Sequence, residues 1–264
     1  MNLKTKPLFN TLVMKSIVIQ IKTPAIFLFF LFFLMGCQQN EQPTLYLIGD
    51  STMAYKEKLY LPERGWGQAL PTYFNEELLI ENHAKNGRST RSFIYQGRWD
   101  SIYNQLQPGD FVLIQFGHND GSIQKTERYA TPEEYQYNLK KFINETRAKK
   151  AIPVLCTPIV RRKFDEEGKY MESHGEYPNL VRQVAKQANV PVLEMHLKSR
   201  YLLEKLGSEE SKALYLHIPQ QTIDSLPDGL TDNTHFSELG AHSMAKIAVD
   251  EIREKVPQLA KFLK

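Results

Sequence analysis

The chain has 264 residues, with 33 Lys and Arg against 30 Asp and Glu and only two cysteines. Lys4, Lys6, Lys15 and Lys22 all precede Cys37 in a stretch without acids, so the chain from Cys37 onward carries 29 basic against 30 acidic residues, near −1. That balance excludes an electrostatic case for nucleic acid, and two cysteines exclude a disulfide framework once Cys37 is assigned elsewhere.

The basic start is followed by an unbroken apolar run from Ala25 to Met35. This is the plan of a secretory signal, and the run is well short of the ~20 apolar residues of a membrane-spanning helix. It ends in Leu34-Met35-Gly36-Cys37 and turns abruptly polar, an ending that resembles a bacterial lipoprotein box. The resemblance implies that residues 1–36 are a signal, that Cys37 is lipidated, and that residues 37–43 are a short tether. The expected location is outside the inner membrane, lipid-anchored in the periplasm or at the outer membrane or cell surface. Met14 is an alternative start, and an ordinary signal with a chance cysteine is the alternative reading. Cys156, inside apolar Ile152–Cys156, reads as a buried core thiol.

The segment 44–264 suits one α/β domain. Thr44–Ile48 is a short β-rich run closed by Gly49, hence a buried strand. Leu78–Ala84 is a weaker second strand, and Asp110–Phe116 a strong third after the turn Pro108-Gly109. Ile152–Cys156 and Val190–Met195 are the fourth and fifth. Thr131 followed by Pro132-Glu133-Glu134 starts a helix running to about Lys149. Another helix runs from about Tyr177 to Gln187, and Ser237 caps a last one from Glu238 to about Lys255. Such alternation predicts a parallel sheet covered on both faces, with ligands beyond the carboxyl ends of the strands.

Chemistry-bearing residues follow those strand ends. After the first strand comes Gly49-Asp50-Ser51-Thr52-Met53, where a helix start would expose the Ser51 hydroxyl and N–H; alone, it is also an ordinary turn or cap sequence. After the second comes Asn86-Gly87-Arg88-Ser89-Thr90-Arg91-Ser92, in which Gly87 permits close backbone approach, or simply makes a loop. After the third comes Gly117-His118-Asn119-Asp120, where Asn119 offers an uncharged donor suited to an oxyanion, or a polar turn. Near the C-terminus, Asp232 and His235 are spaced so that, in a bent loop, a carboxylate orients one imidazole nitrogen and frees the other, the pair a serine nucleophile requires.

Together these blocks resemble the SGNH (GDSL-type) hydrolase superfamily, in its chain order and over nearly all of the domain. The finer resemblance is to the rhamnogalacturonan acetylesterase branch, through Gly49–Ala54, Gly65-Trp66-Gly67, Asn86–Phe93, Gln115–Asp120, Thr157-Pro158, Arg161–Phe164 and His174–Tyr177. The family implies a three-layer α/β/α sandwich, flavodoxin-like, around a central five-stranded parallel sheet, with no metal or organic cofactor. It implies Ser51 as nucleophile, His235 as base and Asp232 as its orienter. The Ser51 and Gly87 N–H groups and the Asn119 amide would then form the oxyanion hole. One departure is Lys85-Asn86-Gly87, where many relatives carry a second glycine; it leaves the loop path open.

The expected activity is removal of acetyl groups from a plant cell-wall polysaccharide of the rhamnogalacturonan or pectin type. Arg88, Arg91, Arg161 and Arg162 are candidates for galacturonate carboxylates, or else a solvated face and structural ion pairs. His174 would touch sugar or merely satisfy a loop. A lipase, lysophospholipase or thioesterase on the same scaffold, and an inactive glycan-binding lipoprotein, are the alternatives. No metal is expected, since His83, His118, His174, His196, His217, His235 and His242 show no His-x-x-x-His pair.

Overall fold

The computed structural model describes residues 42–57 and 62–264. The expected signal, Met14, Cys37 and most of the tether lie outside the described residues. Five strands form one sheet: β1 (Thr44–Gly49), β2 (Leu79–Asn82), β3 (Phe111–Gln115), β4 (Ile152–Cys156) and β5 (Val192–Leu193), in the order β2-β1-β3-β4-β5. Every neighbouring pair is parallel. Parallel neighbours need crossovers, supplied by α1 (Trp66–Ala69), α2 (Thr90–Tyr95), α3 (Arg98–Gln105), α4 (Pro132–Ala148) and α5 (Tyr177–Ala188), while α6 (Met195–Glu210), α7 (Glu238–Lys255) and α8 (Pro257–Ala260) follow the last strand of the sheet.

β1 and β3 are buried along their whole length. Because side chains alternate across a strand, Leu45 and Leu47 join Leu113 against Met244, Ala248 and Ile252 of α7. Tyr46 and Ile48 join Val112 and Ile114 against Phe93 of α2, Trp99 of α3 and Phe142 of α4. Both faces are covered, which is why these strands read as continuous apolar runs. The result is the expected three-layer α/β/α sandwich.

Helix starts follow the capping residues. Thr131 accepts a hydrogen bond from the Glu134 amide, with Pro132 in the first turn, and Ser237 accepts one from Gly240.

Three expectations change. The fifth strand is only Val192–Leu193, because the Glu194 carboxylate accepts from the Leu197 amide and starts α6, a helix the sequence reading did not identify. Ser51 does not open a helix: Met53 and Ala54 donate to the Asp50 carbonyl at 3.3 and 3.1 Å in a single turn, and α1 begins only at Trp66. Asp232 and His235 sit on a strand rather than in a free loop. This strand, β7 (Leu230–Phe236), pairs antiparallel with β6 (Tyr215–Ile218) outside the main sheet.

Candidate active site

The turn after β1 is set by buried polar contacts. The Thr52 amide and hydroxyl donate to Asp50 Oδ1 at 2.9 and 2.8 Å. Gln115 Nε2 donates to Thr52 Oγ1, and Trp66 Nε1 donates to Gln115 Oε1, both at 2.8 Å. Asn82 Nδ2 donates to the Met53 carbonyl at 2.9 Å. Strands β1, β2 and β3 and helix α1 thus each hold one point of a turn with little room to move. Gly65 allows the tight packing, since a Cβ there would lie 2.0 Å from the Ala54 carbonyl oxygen.

Opposite Ser51, β7 carries a bulge. Its register jumps from Tyr215↔Phe236 to Leu216↔Asp232, lifting the intervening residues out of the ladder. Asp232 Oδ1 accepts from the Thr234 and His235 amides at 2.7 and 3.0 Å. Its Oδ2 lies 2.7 Å from His235 Nδ1, and His235 Nε2 lies 2.9 Å from Ser51 Oγ. Burial works against ionising Asp232, but hydrogen bonds from the His235 ring and amide and the Thr234 amide outweigh it and bring the carboxyl down to about 2. With Asp232 ionised, Nδ1 carries the imidazole proton and Nε2 is free to accept from the serine hydroxyl. Burial lowers the His235 pKa, yet the Asp232 hydrogen bond and the charges of Glu63 and Asp232 raise it overall above the ordinary histidine value. The bulge is braced at Asn233, whose Oδ1 accepts from Arg162 Nη1 at 2.9 Å and contacts His217 Nε2 at 2.8 Å.

The loops after β2 and β3 complete the rim. Gly87 has φ +73, a region that favours glycine. Asn119 Nδ2 donates one hydrogen to the Arg88 carbonyl at 2.9 Å, which orients the amide and leaves its second N–H. Among the described residues, the Ser51 and Gly87 amides have no internal acceptor. Asp120 Oδ1 ties the two loops together by accepting from the Thr90 amide and hydroxyl at 2.8 and 2.6 Å. Burial pushes the Asp120 carboxyl up to about 7 despite those bonds. An oriented imidazole on a serine hydroxyl, facing uncharged N–H donors, is an arrangement suited to acyl transfer.

The other predicted residues have structural partners. Arg88 donates to Gln96 Oε1 and the Asn86 carbonyl, both at 2.9 Å. Arg91 donates to the Tyr129 carbonyl at 3.0 Å and pairs with Glu134 at 3.5 Å. Arg161 donates to the His118 carbonyl at 2.9 Å. His174 is buried, its Nε2 3.2 Å from His118 Nδ1.

Sequence reasoning missed Lys56 and Glu63. The Lys56 side chain is fully buried, and its Nζ lies 2.5 Å from both Glu63 Oε1 and Asn86 Oδ1. Glu63 Oε1 in turn lies 4.0 Å from His235 Nε2. A buried ammonium therefore links the neighbourhood of the imidazole to the loop of Gly87. Neither residue belongs to a recognisable motif, and only the tertiary fold exposes their role. Among the described residues, Glu172, His174 and His196 form a group able to hold a metal ion.

Residues 47–242 match the GDSL-like lipase/acylhydrolase family. The chain is 41% identical over 210 residues to the rhamnogalacturonan acetylesterase RhgT of Bacillus subtilis, covering 80% of this chain and 89% of that one. It is 33% identical over 212 residues to the probable rhamnogalacturonan acetylesterase YesY of the same organism, covering 80% and 92%. Among solved structures, Bacillus subtilis YxiM superposes with a TM-score of 0.69 at 26% identity, over 81% of this chain. This chain spans 57% of that structure, little more than half its length. With its sandwich fold and strand-end site, the chain belongs to the GDSL-like lipase/acylhydrolase family and is a carboxylic ester hydrolase.

Proposed function

We propose that the protein is a serine esterase that removes acetyl groups from a pectin-type polysaccharide, rhamnogalacturonan being the favoured polymer. The observation that carries this reading is the unbroken chain from Asp232 through His235 to Ser51, at 2.7 and 2.9 Å. Ser51 Oγ forms a bond to the acetyl carbon while its proton passes to His235 Nε2. The bond between the acetyl carbon and the sugar oxygen then breaks, and the departing sugar oxygen takes that proton from Nε2. Water, deprotonated by the same nitrogen, attacks the acetyl-serine, and acetate leaves as Ser51 regains its proton. Negative charge gathers on the carbonyl oxygen only in the transition states. Donors from Ser51, Gly87 and Asn119 aimed there raise the rate rather than merely the affinity.

The choice of polymer is supported by the two acetylesterase relatives. Arg88 and Arg161, each half-buried and bonded next to Asn119 or His118, are proposed to meet galacturonate carboxylates. Arg91 is a weaker candidate because it is turned to Glu134 and Tyr129. A lipase would need a long acyl groove at Ser51. The groove of about 460 Å³ along the hairpin, lined by Pro62, Tyr215, His217, Ile218 and Leu230 and not by Ser51, Asn119 or His235, does not supply one. Residues 1–36 are proposed as a lipoprotein signal, Cys37 as the lipidated residue, 37–43 as the tether and 44–264 as the hydrolase domain. No helix among the described residues is long and apolar enough to cross a membrane.

The test is acetate release from acetylated rhamnogalacturonan, compared with acetylated xylan and with p-nitrophenyl acetate and octanoate. Preference for the pectic polymer and the acetate ester supports the proposal, whereas preference for octanoate sinks it. Mass spectrometry of the mature N-terminus tests the anchor, and an unmodified end at any residue other than Cys37 overturns it.

A further inference from the structure

Glu172, His174 and His196 come from the connection between β4 and α5 and from the first turn of α6, yet each offers a ligand atom within 4.8 Å of the others. The Glu172 carboxylate is held in place, since its Oε1 accepts from the Ser173 and His174 amides, both at 2.7 Å. Its Oε2 stands 2.9 Å from His196 Nε2, but the pair is not aligned as a hydrogen bond. His196 is 5% exposed, and neither of its ring nitrogens has a hydrogen-bond partner among the described residues. His174 Nε2 is engaged with His118 Nδ1, while its Nδ1 lies 3.3 Å from the Ser173 hydroxyl and 3.7 Å from Glu172 Oε1. Buried imidazole nitrogens are ordinarily satisfied, so a buried ring whose Nε2 meets only a carboxylate, without an aligned hydrogen bond, marks a place for a ligand between the two.

The spacing has the dimensions of a coordination shell. Two ligands about 2.1 Å from a tetrahedral zinc lie about 3.4 Å apart, and the separations of 2.9 and 3.7 Å straddle that value. A metal-bound histidine normally has its second nitrogen fixed by a hydrogen bond, as His118 does for His174. Two imidazoles and one carboxylate suit zinc-class ions rather than calcium or magnesium, which take oxygen ligands.

We propose that Glu172, His174 Nδ1 and His196 Nε2 bind one zinc-class divalent cation, with water completing the shell where Glu172 meets solvent. The ion pins the β4–α5 connection, which carries Arg161 onto His118, to the start of α6. It is a positioning site beside the esterase centre, and the Ser51 chemistry does not pass through it. The sequence reading expected no metal because His174 and His196 are too far apart in the chain to form a local motif.

The test uses the full chain, stripped with a chelator and titrated with Zn²⁺ alone, with bound metal and thermal midpoint as readouts and Co²⁺ as a spectroscopic probe. The expected result is one equivalent at micromolar affinity or tighter, with a rise in Tm on loading. Glu172→Gln and His196→Gln should each weaken binding by about tenfold or more and abolish the Tm rise. Glu172→Gln is the decisive variant, because its side chain is partly exposed and the glutamine keeps an acceptor for the Ser173 and His174 amides, with circular dichroism checking that the apo fold is kept. Absence of binding in the micromolar range overturns the proposal, as does binding that Glu172→Gln leaves unchanged. Neither readout depends on esterase activity, so failure here is distinguishable from failure of the proposed function.

Discussion

His235 Nε2 lies 2.9 Å from Ser51 Oγ, although 184 residues separate them in the chain. The contact joins the turn at the end of β1 to the bulge of β7. If it is the proton path, each partner is indispensable. Ser51→Ala and His235→Ala should lower kcat by about 10⁴–10⁶-fold. Asp232→Asn should lower it by about 10⁴-fold, since the new amide donates to Nδ1 and leaves Nε2 protonated toward Ser51. Steady-state hydrolysis of p-nitrophenyl acetate checks all three, and a loss under tenfold in any of them refutes its role.

Asn119 is held by its bond to the Arg88 carbonyl and needs only its second N–H for the oxyanion. Asn119→Ala should cost about 10²–10³ in kcat with little change in KM, because the lost interaction exists only in the transition state. Unchanged kcat contradicts the assignment.

Glu63 and Lys56 predict opposite shifts in the pH profile. The proposed base must be neutral to accept a proton, and the His235 pKa is raised above the ordinary histidine value, so kcat/KM should climb with pH through a limb above ~6.5. Glu63 raises that pKa and Lys56 lowers it. Glu63→Gln should therefore move the limb to lower pH, and Lys56→Met to higher pH. The charges facing the ring are Asp232, Glu63 and Lys56, so a limb that both variants move in one direction would refute this account.

The turn carrying Ser51 should tolerate little. Trp66→Phe keeps an aromatic ring but removes the pyrrole part of the indole with its donor to Gln115 Oε1, leaving a small cavity and a buried acceptor unpaired. The cost should be about 1–3 kcal/mol of stability, read from denaturant unfolding. A change of a few tenths would show that the Trp66–Gln115–Thr52 chain contributes nothing to the turn.

Strands buried on both faces were the most readable part of the sequence. Ile152–Cys156 is bounded as expected because a continuous apolar run has only one place to sit. The caps at Thr131 and Ser237 were equally plain, since a hydroxyl accepting from the backbone is a local event. Val190–Met195 was read too long, because the Glu194 side chain ends the strand and starts a helix. The Ser51, Gly87, Asn119 and Asp232–His235 blocks could be found because each follows a strand end or carries its own local spacing. Lys56, Glu63 and the Glu172–His174–His196 group could not be found. Their partners lie on different loops, and no periodicity or short spacing encodes such convergence.

The most direct test of the central claim is to label the full-length active protein with a fluorophosphonate and map the adduct by peptide mass spectrometry. A single adduct on Ser51, formed far more slowly in His235→Ala and absent in Ser51→Ala, is the predicted result. Modification of a different residue, or none at all while the protein still hydrolyses acetate esters, would contradict it.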